Sequence, residues 1–188
     1  MLLTIKYFIQ MKKLIAFAGS DSKNSINKKL AAYTATQIAN TTTQVLDLND
    51  YSLPMYGMDY EIEHGIPESA HQFLEIIKGA DGIVLSLAEH NGAYATVFKN
   101  IFDWMSRIDG KVWGNVPMFL MATSPGARGG ATVLEIAMGK FPFMGGNIVA
   151  SFSLPSFNDA FSENGITDAA LRQKLEAEVK KFESAIQG

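Results

Sequence analysis

The chain has 188 residues, 47% hydrophobic and 19% charged, with 16 Lys and Arg against 19 Asp and Glu for a net charge of −3. That is apolar enough for one compact core and excludes a disordered chain. The lack of cysteine removes disulfides, iron–sulfur clusters, thiol nucleophiles and thiolate metal sites and fits a reducing, cytoplasmic setting, while the acidic balance, whose only local basic excess is the scattered set Lys12, Lys13, Lys23, Lys28 and Lys29, argues against nucleic acid as a partner.

Residues 1–10 are apolar but lack the basic start and small-residue cleavage site of a signal peptide. With Met11 opening a natural first strand, the expected division is an N-terminal extension, 1–10, and one domain, 11–188. No run approaches the roughly 18 apolar residues of a membrane span.

Residues 14–18 form a continuous apolar run ending at Gly19-Ser20, as expected of a strand covered on both faces. Ile26, Leu30, Tyr33 and Ile38 follow at helical spacing behind Ser25 as a cap. Further strands are expected at 44–48, 83–87, 116–122 and 147–152. Helices are expected from Pro67, over 92–108, over about 129–140, and from Thr167 with Leu171, Leu175, Val179 and Phe182 on one stripe. Strands alternating with helices give an α/β fold: a flavodoxin-like doubly wound three-layer sandwich with a five-stranded parallel sheet, or a shortened Rossmann fold.

Residues 49–66 read as a connection far longer than the usual two to six or so residues. Its Asp59, Glu61, Glu63 and His64 suit a solvated face better than a metal site, and no metal is expected. The 92–108 helix carries two apolar stripes, Val97, Ile101, Trp104 and Met105 beside Tyr94, Phe98 and Phe102. A helix apolar over most of its circumference is buried on more than one side, which suggests a homo-oligomer formed through it. Asp103 and Arg107 are spaced as a surface i, i+4 pair.

In open parallel sheets a ligand sits beyond the carboxyl ends of the strands. The loop Gly19-Ser20-Asp21-Ser22-Lys23-Asn24-Ser25-Ile26-Asn27 has neither a dinucleotide nor a nucleoside-triphosphate glycine pattern. It reads as a serine-rich cap and turn, or as a cradle for one small phosphate at a helix start. Ala88-Glu89-His90-Asn91-Gly92 reads as a polar strand–helix loop, or as a wall for a flat heterocycle. Ser124-Pro125-Gly126-Ala127-Arg128-Gly129-Gly130 reads as turn punctuation, or as backbone able to approach a ligand closely. Three such loops at one end of a sheet favour a single small-molecule site.

These residues, in this order, resemble the NADPH-dependent FMN reductase family, which includes quinone, chromate and azo-dye reductases. Gly19-Ser20 with Ser25 and Asn27, Asp47-Leu48 before Leu53-Pro54-Met55-Tyr56, Glu89-His90-Asn91-Gly92 with Lys99-Asn100 and Asp103-Trp104, and Ser124-Pro125-Gly126 with Gly129-Gly130 carry the resemblance. It implies a flavodoxin-like fold, bound FMN, a dimer or tetramer, and hydride passing from NADPH or NADH to FMN and onward to a small-molecule electron acceptor. It implies that Gly19, Ser20, Ser22, Lys23, Ser25, Ile26 and Asn27 surround the FMN phosphate. Glu89 to Gly92 would line the ring and Ser124 to Gly130 close its other side, and no catalytic side chain is obligatory. The chain departs from the family at Ser22, where an arginine is usual, and at Ala88-Glu89-His90, where Pro-Glu-Tyr is usual. A flavodoxin-like electron carrier or flavin-binding protein without nicotinamide activity is the alternative.

Overall fold

A computed structural model describes residues 11–188; the expected extension at 1–10 lies outside the described residues. Strand β1, Lys12–Gly19, is buried from Leu14 onward. Its alternate side chains point to opposite faces of the sheet. Ile15 and Phe17 enter one core, and Leu14 and Ala16 the other. Helix α1, Ile26–Thr36, is capped by Ser25, whose side chain accepts from the Lys28 amide.

Strand β2 is Thr41–Val45 and not the expected 44–48, because Thr41 pairs with Lys12 and Val45 with Ala16. This is an edge strand whose residues 42–45 are exposed. An apolar run therefore does not mark it; β-branched threonines do. The buried Leu46 and Leu48 belong to the exit from the strand.

The expected connection at 49–66 contains helix α2, Met58–His64, followed by α3, Glu68–Lys78. Strand β3, Gly82–Leu87, is wholly buried. The expected helix at 92–108 begins as a hairpin instead, with β4, Glu89–His90, antiparallel to β5, Ala93–Tyr94. Asn91 and Gly92 at its tip have φ of 52° and 75°. This is the left-handed pair that a two-residue type I′ hairpin requires, and Asn-Gly is its usual sequence.

Helix α4 is Thr96–Ile108. Strand β6, Pro117–Thr123, leads to α5, Ala131–Lys140, then to β7, Asn147–Leu154. A short helix α6, Phe157–Ala160, and a hairpin of β8, Phe161–Ser162, with β9, Gly165–Ile166, precede α7, Ala169–Gln187.

The main sheet is five-stranded and parallel, in the order β2-β1-β3-β6-β7. This is the flavodoxin-like order, with its switch point between β1 and β3. Side chains of α1 and α7 fill the core on one face; those of α3, α4 and α5 fill it on the other. Among the described residues no helix is long and apolar enough to cross a membrane.

The double apolar stripe of α4 is satisfied within the chain, which corrects the reason for expecting a subunit contact there. Phe98 and Phe102 pack against Phe141, and Phe102 also stacks on Trp113. On another side the connection before α2 lies across the helix. Trp104 Nε1 donates to the Pro54 carbonyl at 2.9 Å, and Tyr56 meets the Trp104 ring edge-on at 5.0 Å. Asn100 fastens the same segment, accepting from the Tyr56 amide and donating to Pro54. The expected Asp103–Arg107 pair is replaced by two others. Asp103 pairs with Lys99, and Arg107 reaches across to Glu61 at 2.8 Å.

Candidate functional site

The loops after β1, β3 and β6 meet at the carboxyl ends of three adjacent strands and enclose a cavity of about 270 Å³. Ser20, Ser22, Ser25, Ile26 and Asn27 line it from the first loop, Glu89 and His90 from the second, and Ser124 and Pro125 from the third. Asn24 and Ala88, members of the first two loops though not among the expected flavin contacts, line it too, as does Thr123, which the sequence did not single out. Thr123 ends a strand beside a recognised loop, so its position was the available signal. Larger troughs, about 740 Å³ between α1 and residues 157–163 and about 470 Å³ between β7 and α7, are not lined by the loops after β1 and β3.

Asn27 holds the three loop origins together. Only 3% exposed, its Oδ1 accepts from Ser86 Oγ at 2.7 Å and from the Thr123 amide at 3.0 Å, and its Nδ2 donates to the Thr123 carbonyl at 3.1 Å. Thr123 Oγ1 continues the stitch to the Leu154 carbonyl at 2.7 Å. The Asn27 side chain is therefore engaged with β3 and β6, and what this residue offers the cavity is its backbone N–H.

That N–H and its neighbour are the chemical core of the site. Ile26 and Asn27 are the first two residues of α1, and among the described residues their amides have no hydrogen-bond partner. Such amides at a helix start carry the positive end of the helix dipole and attract an anion. The hydroxyls of Ser20 and Ser22 lie beside them; that of Ser25 is committed to its cap. Lys23 is exposed and lies outside the lining. Lys28 is drawn off by Asp47 at 2.5 Å. Hydrogen bonds from Lys28 and from the Asn49 backbone hold the Asp47 carboxyl below its ordinary range, so it is ionised at neutral pH.

The second loop is anchored by Glu89, whose Oε2 accepts from the amide of Val133 in the first turn of α5 at 3.0 Å. A carboxylate at that helix start is favoured twice, by the hydrogen bond and by the dipole. Glu89→Ala is expected to cost about 1 kcal/mol of stability in a denaturant titration, with Glu89→Gln recovering part of it through its amide oxygen. His90 is exposed at the cavity, while Asn91 and Gly92 form the hairpin tip and do not line it. Tyr94, at the hairpin's base, is unavailable as a base because burial pushes its phenol up to about 12.

The glycines serve the protein more than a ligand. A Cβ on Gly19 would meet Phe98 Cγ at 3.1 Å. Gly129 and Gly130 have φ of 58° and 73°. Side chains there would strike Ser153 Oγ at 2.5 Å and Ala122 Cβ at 2.9 Å respectively. Gly126 and Gly92, each with its nearest neighbour 3.8 Å away, have room beside them, Gly92 at the left-handed hairpin tip. Arg128 is exposed and donates to Thr132 Oγ1.

Residues 12–159 match the model of the family described as NADPH-dependent FMN reductase. A 2-hydroxy-1,4-benzoquinone reductase from Burkholderia sp is 36% identical over 121 residues, 63% of this chain and 64% of that protein, so the match spans less than two thirds of the relative's length. A quinone reductase from Escherichia coli strain K12 is 30% identical over 148 residues, 72% of this chain and 78% of that one. Among solved structures, FerB from Paracoccus denitrificans, a flavoenzyme NAD(P)H:(acceptor) oxidoreductase, superposes with a TM-score of 0.73 at 25% identity, covering 94% of this chain and 97% of that one. With the sheet order, the three-loop cavity and a family match over residues 12–159, the chain belongs to the NADPH-dependent FMN reductase family.

Proposed function

We propose that the protein is an FMN-dependent NAD(P)H oxidoreductase that delivers electrons to a small acceptor, with quinones as the first class to test. The observation that carries this reading is the pair of unpartnered amides at Ile26 and Asn27, two residues that line the cavity together with Ser20 and Ser22, whose hydroxyl hydrogens can still donate although Ser20 Oγ accepts from the Ser22 amide. A phosphate monoester fits that donor set, which is compact, neutral to cationic and built from backbone. The 270 Å³ enclosed there suits the phosphate end of a mononucleotide, leaving the ring system to lie outward between residues 88–91 and 124–126.

When bound, FMN supplies the hydride-accepting and electron-donating chemistry. The chain's own residues bind and orient it. Ile26 and Asn27 N–H fix the phosphate, the hairpin anchored by Glu89 supports one edge of the ring, and Ser124 to Gly126 support the other. The exposure of His90, Pro125 and Gly126 leaves an open approach for a nicotinamide donor and then for an acceptor. Such an approach also admits azo compounds, metal oxyanions and free flavin.

A homodimer or homotetramer belongs to the same reading, though not through the stripes of α4. The apolar surface on offer in that region is Met55, Met58 and Ile62, exposed by 65%, 65% and 79% on the segment that covers α4. Sedimentation of the purified protein settles its assembly.

The test is anaerobic addition of NADPH, and separately NADH, to protein reconstituted with FMN. Bleaching of the flavin absorbance, followed by recovery with a benzoquinone, is the expected result. A flavin that binds but is not bleached by either donor would identify the electron-carrier alternative. A protein that takes up no FMN would end the proposal.

A further inference from the structure

The phosphate-side loop, residues 20–24, is nearly untethered. Its internal bonds are Ser22 N–H to Ser20 Oγ at 3.2 Å and Ser25 N–H to the Ser22 carbonyl at 3.1 Å. Among the described residues, one hydrogen bond reaches it from another element, donated by Asn49 Nδ2 to the Asp21 carbonyl at 3.0 Å.

Asn49 is itself held in place. It lies in the short turn Leu48–Asp50 that follows β2. Asp47 Oδ1 accepts from the Asn49 amide at 3.0 Å and from its Nδ2 at 2.8 Å, while Asp47 Oδ2 takes Lys28 of α1 at 2.5 Å. The turn thus grips both the loop before α1 and the first turn of α1. A segment with few contacts opens readily, and each anchor lowers the population of open forms. An amide with both a locked backbone and a locked side chain is a pre-organised donor.

We propose that Asn49 is a positioning residue for the mononucleotide phosphate, closing the 20–24 loop around it through the Asp21 carbonyl. This rests on the FMN reading above. It assigns a role to a residue outside the cavity, on an element that contributes no residue to the cavity lining. Asp47 and Lys28 act one step further back, by aiming Asn49.

The role has a signature that general damage lacks, because only ligands bearing the phosphate feel the loop. The experiment titrates wild-type apoprotein, Asn49→Ala and Asn49→Asp with FMN and with riboflavin, and records the melting temperature of each apoprotein. Asp50→Ala, in the same turn with an exposed side chain that makes no bond to the loop, is the control. Loss of one such hydrogen bond is expected to raise the FMN Kd of Asn49→Ala about five- to tenfold through faster release, with the riboflavin Kd unchanged. Asn49→Asp cannot donate to Asp21 and sets a second carboxylate against Asp47, so its FMN Kd should rise at least as far, while Asp50→Ala should match wild type. If the Asn49 variants lose neither ligand, or lose both alike, the role is wrong. If wild type itself does not prefer FMN to riboflavin, the phosphate cradle falls first and Asn49 with it.

Discussion

Replacing Asn27 with alanine is expected to lower stability by about 3 kcal/mol and to weaken FMN binding with it. The substitution leaves Ser86 Oγ and both the N–H and C=O of Thr123 without their buried partner. A hydroxyl can turn to another acceptor, but the two backbone groups cannot, and burying unpaired amide groups is costly. Asn27→Asp keeps the two acceptor contacts, loses the donor to Thr123, and sets a carboxylate against a carbonyl at a position only 3% exposed. It should also repel a bound phosphate, so its FMN affinity should fall below that of the alanine variant. Urea unfolding with parallel FMN titration checks both. An alanine variant that keeps full stability and loses only FMN would mean the side chain serves the ligand instead of the strands.

Gly129→Ala is expected to be comparably severe, at about 3 kcal/mol or more, and to disrupt the third loop. The left-handed φ of 58° costs an alanine about 1 kcal/mol. The rest comes from packing, since the new Cβ would lie 2.8 Å from the Pro155 nitrogen and 2.9 Å from the Leu154 carbonyl carbon. Backbone atoms at the end of β7 cannot turn aside as a flexible side chain does. Gly126→Ala, whose Cβ would meet only Ser124 Oγ at an ordinary 3.8 Å, is the matched control and should change stability by less than about 0.5 kcal/mol. Thermal melts of the two variants decide the matter; equal melts would contradict the packing account.

The buried strands were legible because β1, β3 and β6 are covered on both faces and show as apolar runs, broken in β3 only by Ser86. β2 was misplaced by three residues because its side chains face solvent along an edge, where burial leaves no apolar trace. The hairpin at 89–94 was legible in principle from Asn91-Gly92, a strong two-residue turn signal that was outweighed by the apolar periodicity of the helix following it. At the site, sequence order brought nine of the residues it singled out to one cavity. It did not separate backbone from side chain. Asn27 looked like a phosphate ligand by its amide group, yet that group is turned inward toward Thr123 and Ser86, a contact across 96 and 59 residues that spacing does not reveal. Gly129 and Gly130 of the third loop likewise looked like room for a ligand and are instead contacts with β6 and the end of β7.

The central measurement is calorimetric titration of the wild-type apoprotein with FMN and with riboflavin, which differ by the phosphate alone. Two charge-assisted amide bonds at the head of α1 predict a preference for FMN of about 100-fold or more. Equal affinity for the two flavins would contradict the account.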